Sequence, residues 1–146
     1  MLSEYGLIRY RVLVEVRWLQ WLADEPAIAE LPVQSSVMKD VLNDIVDGFS
    51  TDDAERVKAI ESTTNHDVKA VEYFIREKIG TGSESDSLSE FIHFGCTSED
   101  INNLSYALML RAARDDVLQP AMRELSAKMR SMSSVYADRS EEHTSE

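Results

Sequence analysis

Two short polar stretches hold the residue types suited to proton transfer and anion binding. The first is Ser62-Thr63-Thr64-Asn65-His66-Asp67, dense in side-chain hydrogen-bonding groups. Histidine is the residue type suited to both donating and accepting a proton, which makes His66 the candidate for that work. Asp67 can orient its ring, or Asn65 and Asp67 can be caps flanking a surface histidine. Lys69, one turn on, suits a solvated helix face better than an anion contact. The second stretch is Thr97-Ser98-Glu99-Asp100. Thr97 and Asp100 have the spacing of a capping box, so a helix starts here. Its free N–H groups and positive dipole end attract anions, and the Thr97 and Ser98 hydroxyls add donors suited to a carboxylate. A metal is poorly served. His93 and Cys96 lie three apart, but a zinc site needs three or four protein ligands and no further cysteine exists. That pair reads as structural. Gly80-Thr81-Gly82 is too short for a phosphate loop, and no Gly-x-Ser-x-Gly nucleophile motif is present.

The elements that must position these residues read as helices throughout. Ser3 to Asp24 forms the first, with Leu7, Tyr10, Val14, Trp18 and Trp21 on one stripe and Ile8, Val12 and Leu19 widening it. Arg11 and Glu15 fall inside that apolar arc, four apart, and are expected to pair with each other. Glu25-Pro26 ends the helix, and Pro32 belongs to the following loop. Ser35 or Ser36 caps a second helix that turns Val37, Val41, Leu42 and Ile45 inward and stops at Gly48. Thr51 and Asp52-Asp53 open a third, carrying Val57, Ile60 and Glu61. A fourth runs from Asp67 to Lys78. Ile79 to Ser87 reads as a polar loop, and Ser87 with Glu90 as the capping box of a short helix. The helix from Ser98 runs to about Leu118, and Tyr106 to Leu110 is apolar all round, which predicts burial on several sides. Pro120 kinks this helix or starts its continuation through Met129 and Met132. No strand pattern and no internal repeat appear, so the expected fold class is all-α.

Composition narrows the function classes. The chain has 146 residues, enough for one real core. Its formal net charge of −12 disfavours nucleic acid as a partner. One cysteine, Cys96, suits a reducing compartment. No apolar run has membrane-spanning length and no secretory signal opens the chain, so a cytoplasmic location without membrane association is expected.

A resemblance sharpens these expectations. Thr97-Ser98-Glu99-Asp100-Ile101-Asn102-Asn103 resembles the Thr-Ser-x-Asp-Ile-x-x-Asn block of the fumarase/aspartase superfamily of lyases. The block Thr63-Thr64-Asn65-His66-Asp67-Val68-Lys69-Ala70-Val71-Glu72 resembles that superfamily's adenylosuccinate lyase branch nearly residue for residue. The likeness runs from Ser3 to about Asp138. It implies that Asn65, His66 and Asp67 contact substrate, with His66 an auxiliary catalytic residue, and that Thr97 and Ser98 bind the succinyl part of a nucleotide substrate. It implies β-elimination of fumarate, no metal or organic cofactor, and a homo-oligomer, a tetramer, whose sites combine subunits. It divides the chain into a helical lyase domain at 1–97, the start of a long bundle helix at 98–138, and a tail at 139–146 that resembles a translated sequencing adapter. The branch's Asp-Gly-Arg-Tyr segment, its Thr-His-Gly-Gln segment with the general acid, and its Gly-Ser-Ser-x-Met-Pro-x-Lys-x-Asn-Pro loop with the general base do not occur in this sequence. The chain therefore reads as an N-terminal piece that holds binding residues and is inactive alone. The rival readings are another lyase of the superfamily, such as argininosuccinate lyase, and a non-catalytic helical interaction module.

Overall fold

The computed structural model describes residues 2–31 and 33–139. Pro32 and all of the expected tail except Arg139 lie outside the described residues. Every regular element among the described residues is helical, as expected: α1 (Glu4–Ala23), α2 (Ser36–Asp47), α3 (Thr51–Thr64), α4 (Asp67–Ile79), α5 (Ser83–Ser89), α6 (Ser98–Ala113), a π-helical turn (Arg114–Leu118) and α7 (Gln119–Tyr136). The chain forms two compact units, Met1–Leu110 and Arg111–Glu146.

In the first unit, helix starts follow local side-chain chemistry. Ser3 caps α1 and Ser35 caps α2, each accepting a backbone N–H at 3.1 Å. Ser50 and Asp53 close a reciprocal capping box at α3, one residue earlier than Thr51. Gly48 stops α2, and a Cβ there would come within 2.9 Å of the Asp44 carbonyl oxygen. Helices α1 to α4 pack on one another, with α5 laid against α4. Val12, Leu42, Val71, Ile75 and Leu88 are fully buried in the core they share, each contributing roughly 1.5–3 kcal/mol of apolar burial. A smaller cluster of Val14, Val68 and Ile101 joins α1, α4 and α6.

Several orientations differ from expectation. The buried centre of α1 is Ile8, Val12 and Leu19, not the stripe through Trp21, which is 55% exposed and stacks on Trp18. Alpha-helix α2 turns Met38, not Val37, inward, because Met38, Leu42 and Ile45 share the face against α1 and α4. The stretch expected as a loop to Ser87 is already helical from Ser83. Leu88 draws it into the core, and the buried Ser85 hydroxyl donates to the Ile79 carbonyl at 3.0 Å, completing the end of α4. Helix α6 buries only the face of Ile101, Ser105 and Met109; Leu104, Tyr106 and Leu110 are exposed. Its Ile101 packs in a small cluster with Val14 and Val68, against which Leu108 is half-buried, and one face satisfies that contact.

In the second unit, α7 begins with Pro120 in its first turn, one of the two roles expected of that proline. Proline has no N–H and its ring crowds the carbonyl four residues back. The π-helical turn at Arg114–Leu118 widens the backbone there. Leu118, Met122, Leu125, Met129, Met132 and Tyr136 form an exposed stripe at helical spacing.

The new α5 boundary yields a prediction. Ser85→Ala leaves the Ile79 carbonyl buried without its donor and should lower the unfolding free energy by about 1–2 kcal/mol, measured by urea denaturation. Ser87→Ala, whose exposed hydroxyl bonds Ser83 within the helix, should change it little.

Candidate functional site

His66 is itself the N-cap of α4. Its extended backbone precedes the helix, and its Nδ1 accepts the Lys69 N–H at 3.1 Å. Asp67 Oδ1 stands 3.7 Å from the same nitrogen, too far for a hydrogen bond, so Asp67 does not orient the ring. With Nδ1 occupied as an acceptor, the proton of the neutral ring belongs on Nε2. The ring is half exposed. Asn65 is the C-cap of α3 in the left-handed conformation (φ 52°), which asparagine tolerates, and its N–H donates to the Glu61 carbonyl at 2.8 Å. Both capping roles weighed from the sequence are therefore present, with His66 rather than Asp67 capping α4. Lys69 is not a free surface cation: its Nζ lies 2.7 Å from the buried Glu72 carboxylate.

Thr97 and Asp100 form the expected capping box. The Thr97 N–H and hydroxyl both donate to Asp100 Oδ2 at 2.8 Å, and the Asp100 N–H returns to Thr97 Oγ1 at 3.4 Å. These bonds hold the Asp100 carboxyl below the usual aspartate range. The Thr97 hydroxyl proton is thus already committed to Asp100. None of the bonds of the box uses the Ser98 hydroxyl, and Ser98 is half-buried at the start of α6.

One side chain ties the two stretches together. Arg11 of α1 is buried, 8% exposed. Its Nη2 donates to Asp67 Oδ2 at 2.5 Å and its Nε to Asn102 Oδ1 at 2.8 Å. Asp67 Oδ1 meanwhile accepts its neighbour Val68 N–H at 2.8 Å. Arg11 therefore joins the residue after His66 to a residue one turn beyond Ser98. This overturns the expected Arg11–Glu15 pair. Glu15 instead reaches His93, with Oε1 2.6 Å from Nδ1, and Trp18 Nε1 donates to the Phe94 carbonyl at 2.8 Å. Burial pushes the Glu15 carboxyl up, opposed by His93 and reinforced by Glu72.

His93 and Cys96 accordingly do not form a pair of their own. His93 belongs to Glu15, and Cys96 is a half-buried thiol whose pKa burial raises, with help from the Glu15 and Asp100 charges. Among the described residues no group of three or more His, Cys, Asp or Glu could hold a metal ion. Arg11, Asn102, Glu15, His93 and Trp18 were the residues that sequence reasoning left out of the site. The available signal was the presence of Arg11 and Glu15 inside an apolar helix arc, where polar groups must find partners.

Over residues 1–139 the chain matches the protein family described as Lyase. The chain belongs to the lyase family. Among curated proteins, the adenylosuccinate lyase of Escherichia coli (strain K12) is 55% identical over 136 residues, which is 93% of this chain and 30% of that protein. That of Vibrio cholerae serotype O1 (strain ATCC 39541 / Classical Ogawa 395 / O395) is 52% identical over the same shares. That of Legionella pneumophila (strain Corby) is 41% identical, again over 93% of this chain and 30% of the relative. The lyase chain thus spans about 30% of the length of the curated relatives it matches.

Two outcomes test the geometry of this lyase chain. Arg11→Leu strands Asn102 and Asp67, and should lower the unfolding free energy by about 2 kcal/mol; Asp67 is 39% exposed, which limits the ion pair's share. Arg11→Lys should not restore it, since an ammonium cannot serve both acceptors with the geometry of a guanidinium. The second concerns pH. Because the folded-state pKa of Glu15 is raised, the folded chain holds a proton that the unfolded chain has lost. Its contribution favours folding below the unfolded carboxylate value and is lost as pH rises through the folded value. Glu15→Gln should remove that dependence, so its melting temperature should rise relative to the natural chain as pH climbs above the ordinary carboxylate range.

Proposed function

We propose that this chain supplies the substrate-binding turns of an adenylosuccinate lyase. The enzyme would eliminate fumarate from adenylosuccinate to give AMP, and from succinyl-aminoimidazole-carboxamide ribotide to give the carboxamide ribotide. The observation that carries the reading is the joining of two motif blocks through Arg11, in a chain 55% identical to a curated adenylosuccinate lyase.

The chemistry sets what each residue must do. A base takes the proton from the carbon beside a carboxylate, the electrons form the new double bond, and the carbon–nitrogen bond breaks. The nitrogen takes a proton as it leaves. Negative charge builds on the carboxylate next to the reacting carbon, and hydrogen-bond donors must meet it. Thr97 and Ser98, with the first N–H groups of α6, are the donors for that carboxylate. His66 presents Nε2–H, a donor suited to holding the substrate and assisting proton movement. Asn65 and Asp67 fix His66 by ending α3 and anchoring α4, and stand as further substrate contacts. The principal acid and base are assigned to segments of the relatives that this sequence does not contain. No cofactor enters the reaction. In this reading 1–97 is the helical lyase domain and 98–138 the first part of a long bundle helix. The enzyme is a cytoplasmic homotetramer whose sites combine subunits, with neither nucleic acid nor membrane as a partner. No helix among the described residues is long and apolar enough to cross a membrane.

The cap at His66 gives a clean test. In an enzyme extended to the length of its relatives, His66→Asn keeps a capping acceptor and should change the unfolding free energy by no more than about 0.5 kcal/mol. It should still lower the rate of fumarate release from adenylosuccinate about a hundredfold, since the imidazole is gone. Full activity in this variant would remove His66 from the chemistry. The 146-residue chain alone should release no fumarate above background, and substantial turnover by it would overturn the assignment of roles.

A further inference from the structure

Arg11, Glu15 and Trp18 follow one another along a single side of α1, and each grips a different part of the segment around Thr97 and Ser98. Arg11 takes Asn102 after the turn, and Trp18 takes the Phe94 carbonyl before it. Glu15 takes the His93 ring, and its situation is the least favourable of the three. It is fully buried, and its Oε2 finds no hydrogen-bond partner. A carboxyl half-satisfied in a core is worse for stability than an apolar side chain of the same volume. Packing alone therefore does not explain a glutamate at this position.

The backbone it touches also needs holding. His93 has φ 64°, and Asn65 is the only other non-glycine residue with positive φ among the described residues. Gly95 follows at φ 71°. A histidine in the left-handed region is disfavoured by its own Cβ and persists only when its surroundings fix it. The contacts that fix it are the Glu15–His93 bond at 2.6 Å and, one residue on, the Trp18–Phe94 bond at 2.8 Å. Three residues separate His93 from Thr97. Besides His93, the charged group acting on Glu15 is Glu72 on α4, itself bonded to Lys69; Cys96, between His93 and α6, feels the charges of both Glu15 and Asp100.

We propose that Glu15 is a positioning residue of the substrate site: acting through His93, it holds the left-handed turn that presents Thr97 and Ser98 to the substrate carboxylate. The proposal rests on the reading of Thr97 and Ser98 as that carboxylate's donors. Glu15 touches no substrate. Whether its carboxyl is ionised or neutral, Oε1 can accept from His93 Nδ1–H, so the bond rather than the charge is what the turn requires.

The test uses the enzyme extended to the length of its relatives, with adenylosuccinate as substrate. Glu15→Leu removes the acceptor and keeps the volume. Its KM should rise about tenfold while kcat changes less than about threefold. Amide hydrogen exchange should quicken about tenfold in the peptide covering Phe94 to Ser98 and stay as in the natural enzyme over α2 and α3. Glu15→Gln, which retains an acceptor for Nδ1–H, should restore both. Unchanged KM and exchange in Glu15→Leu would overturn the proposal. So would faster exchange across the whole first unit, which would make Glu15 a general stabiliser. Thr97→Val with Ser98→Ala tests the parent reading separately: unchanged KM there removes those donors, while exchange in the Glu15 variants still decides whether Glu15 holds the turn.

Discussion

The Arg11 guanidinium is the interaction on which the rest of the site depends. A buried arginine must be given acceptors, and its planar fork fixes where they stand. Here the acceptors are Asp67 at the start of α4 and Asn102 in α6. The apolar cluster of Val14, Val68 and Ile101 holds the same three helices together, but apolar contact is non-directional and tolerates sliding. The guanidinium adds register. It sets the N-terminus of α4, and therefore His66, against the N-terminus of α6, and therefore Thr97 and Ser98. The chemistry proposed for this lyase needs those helix starts held in a fixed relation, because donors misplaced by an ångström lose much of their effect on a developing charge.

Local signals made most of the fold legible. The serine cap before α2, the acidic first turn of α3, the glycine after α2 and the apolar spacing of α4 act over a few residues, and each was readable there. Most of the departures from expectation share one cause. Arg11 and Glu15 lie four apart and look like partners, yet their true partners stand 56, 91 and 78 residues away in sequence. Long-range geometry decides between a near neighbour and a distant acceptor, and spacing along one helix carries no information about it. Trp21 and Val37 were placed inward for the same reason: an arc shows which residues are apolar, not where the neighbouring helices lie. The segment after Ile79 read as loop because serines favour turns in isolation. Burial of Leu88 and the Ser85 bond outweigh that preference.

The sequence singled out the residues of the candidate site but not their arrangement. His66, Asn65, Thr97 and Ser98 stood out by type and neighbours. Their present bonding did not follow, because each side chain has competing uses. His66 could have been a solvent-facing base, a ring held by Asp67, or a cap; an unfilled N–H at Lys69 made it the cap. That choice fixes the tautomer, and so fixes which nitrogen faces outward. The same backbone demand that seats the ring therefore also selects its chemistry.

The capping box at Thr97 has a consequence for association. Asp100 is tethered two peptide units from Ser98, and its carboxylate already occupies the Thr97 N–H and hydroxyl. The turn behaves as its own intramolecular competitor, at an effective concentration set by the short tether between Ser98 and Asp100. An incoming carboxylate that uses Thr97 must exchange with Asp100, so the apparent affinity is the intrinsic affinity reduced by the fraction of time the box is open. A succinyl group bridging to other donors meets that exchange with several contacts at once, whereas a lone acetate meets it with one. In the proposed reading, discrimination against small anions would come from an acid the protein carries within the turn, without a wall that excludes them.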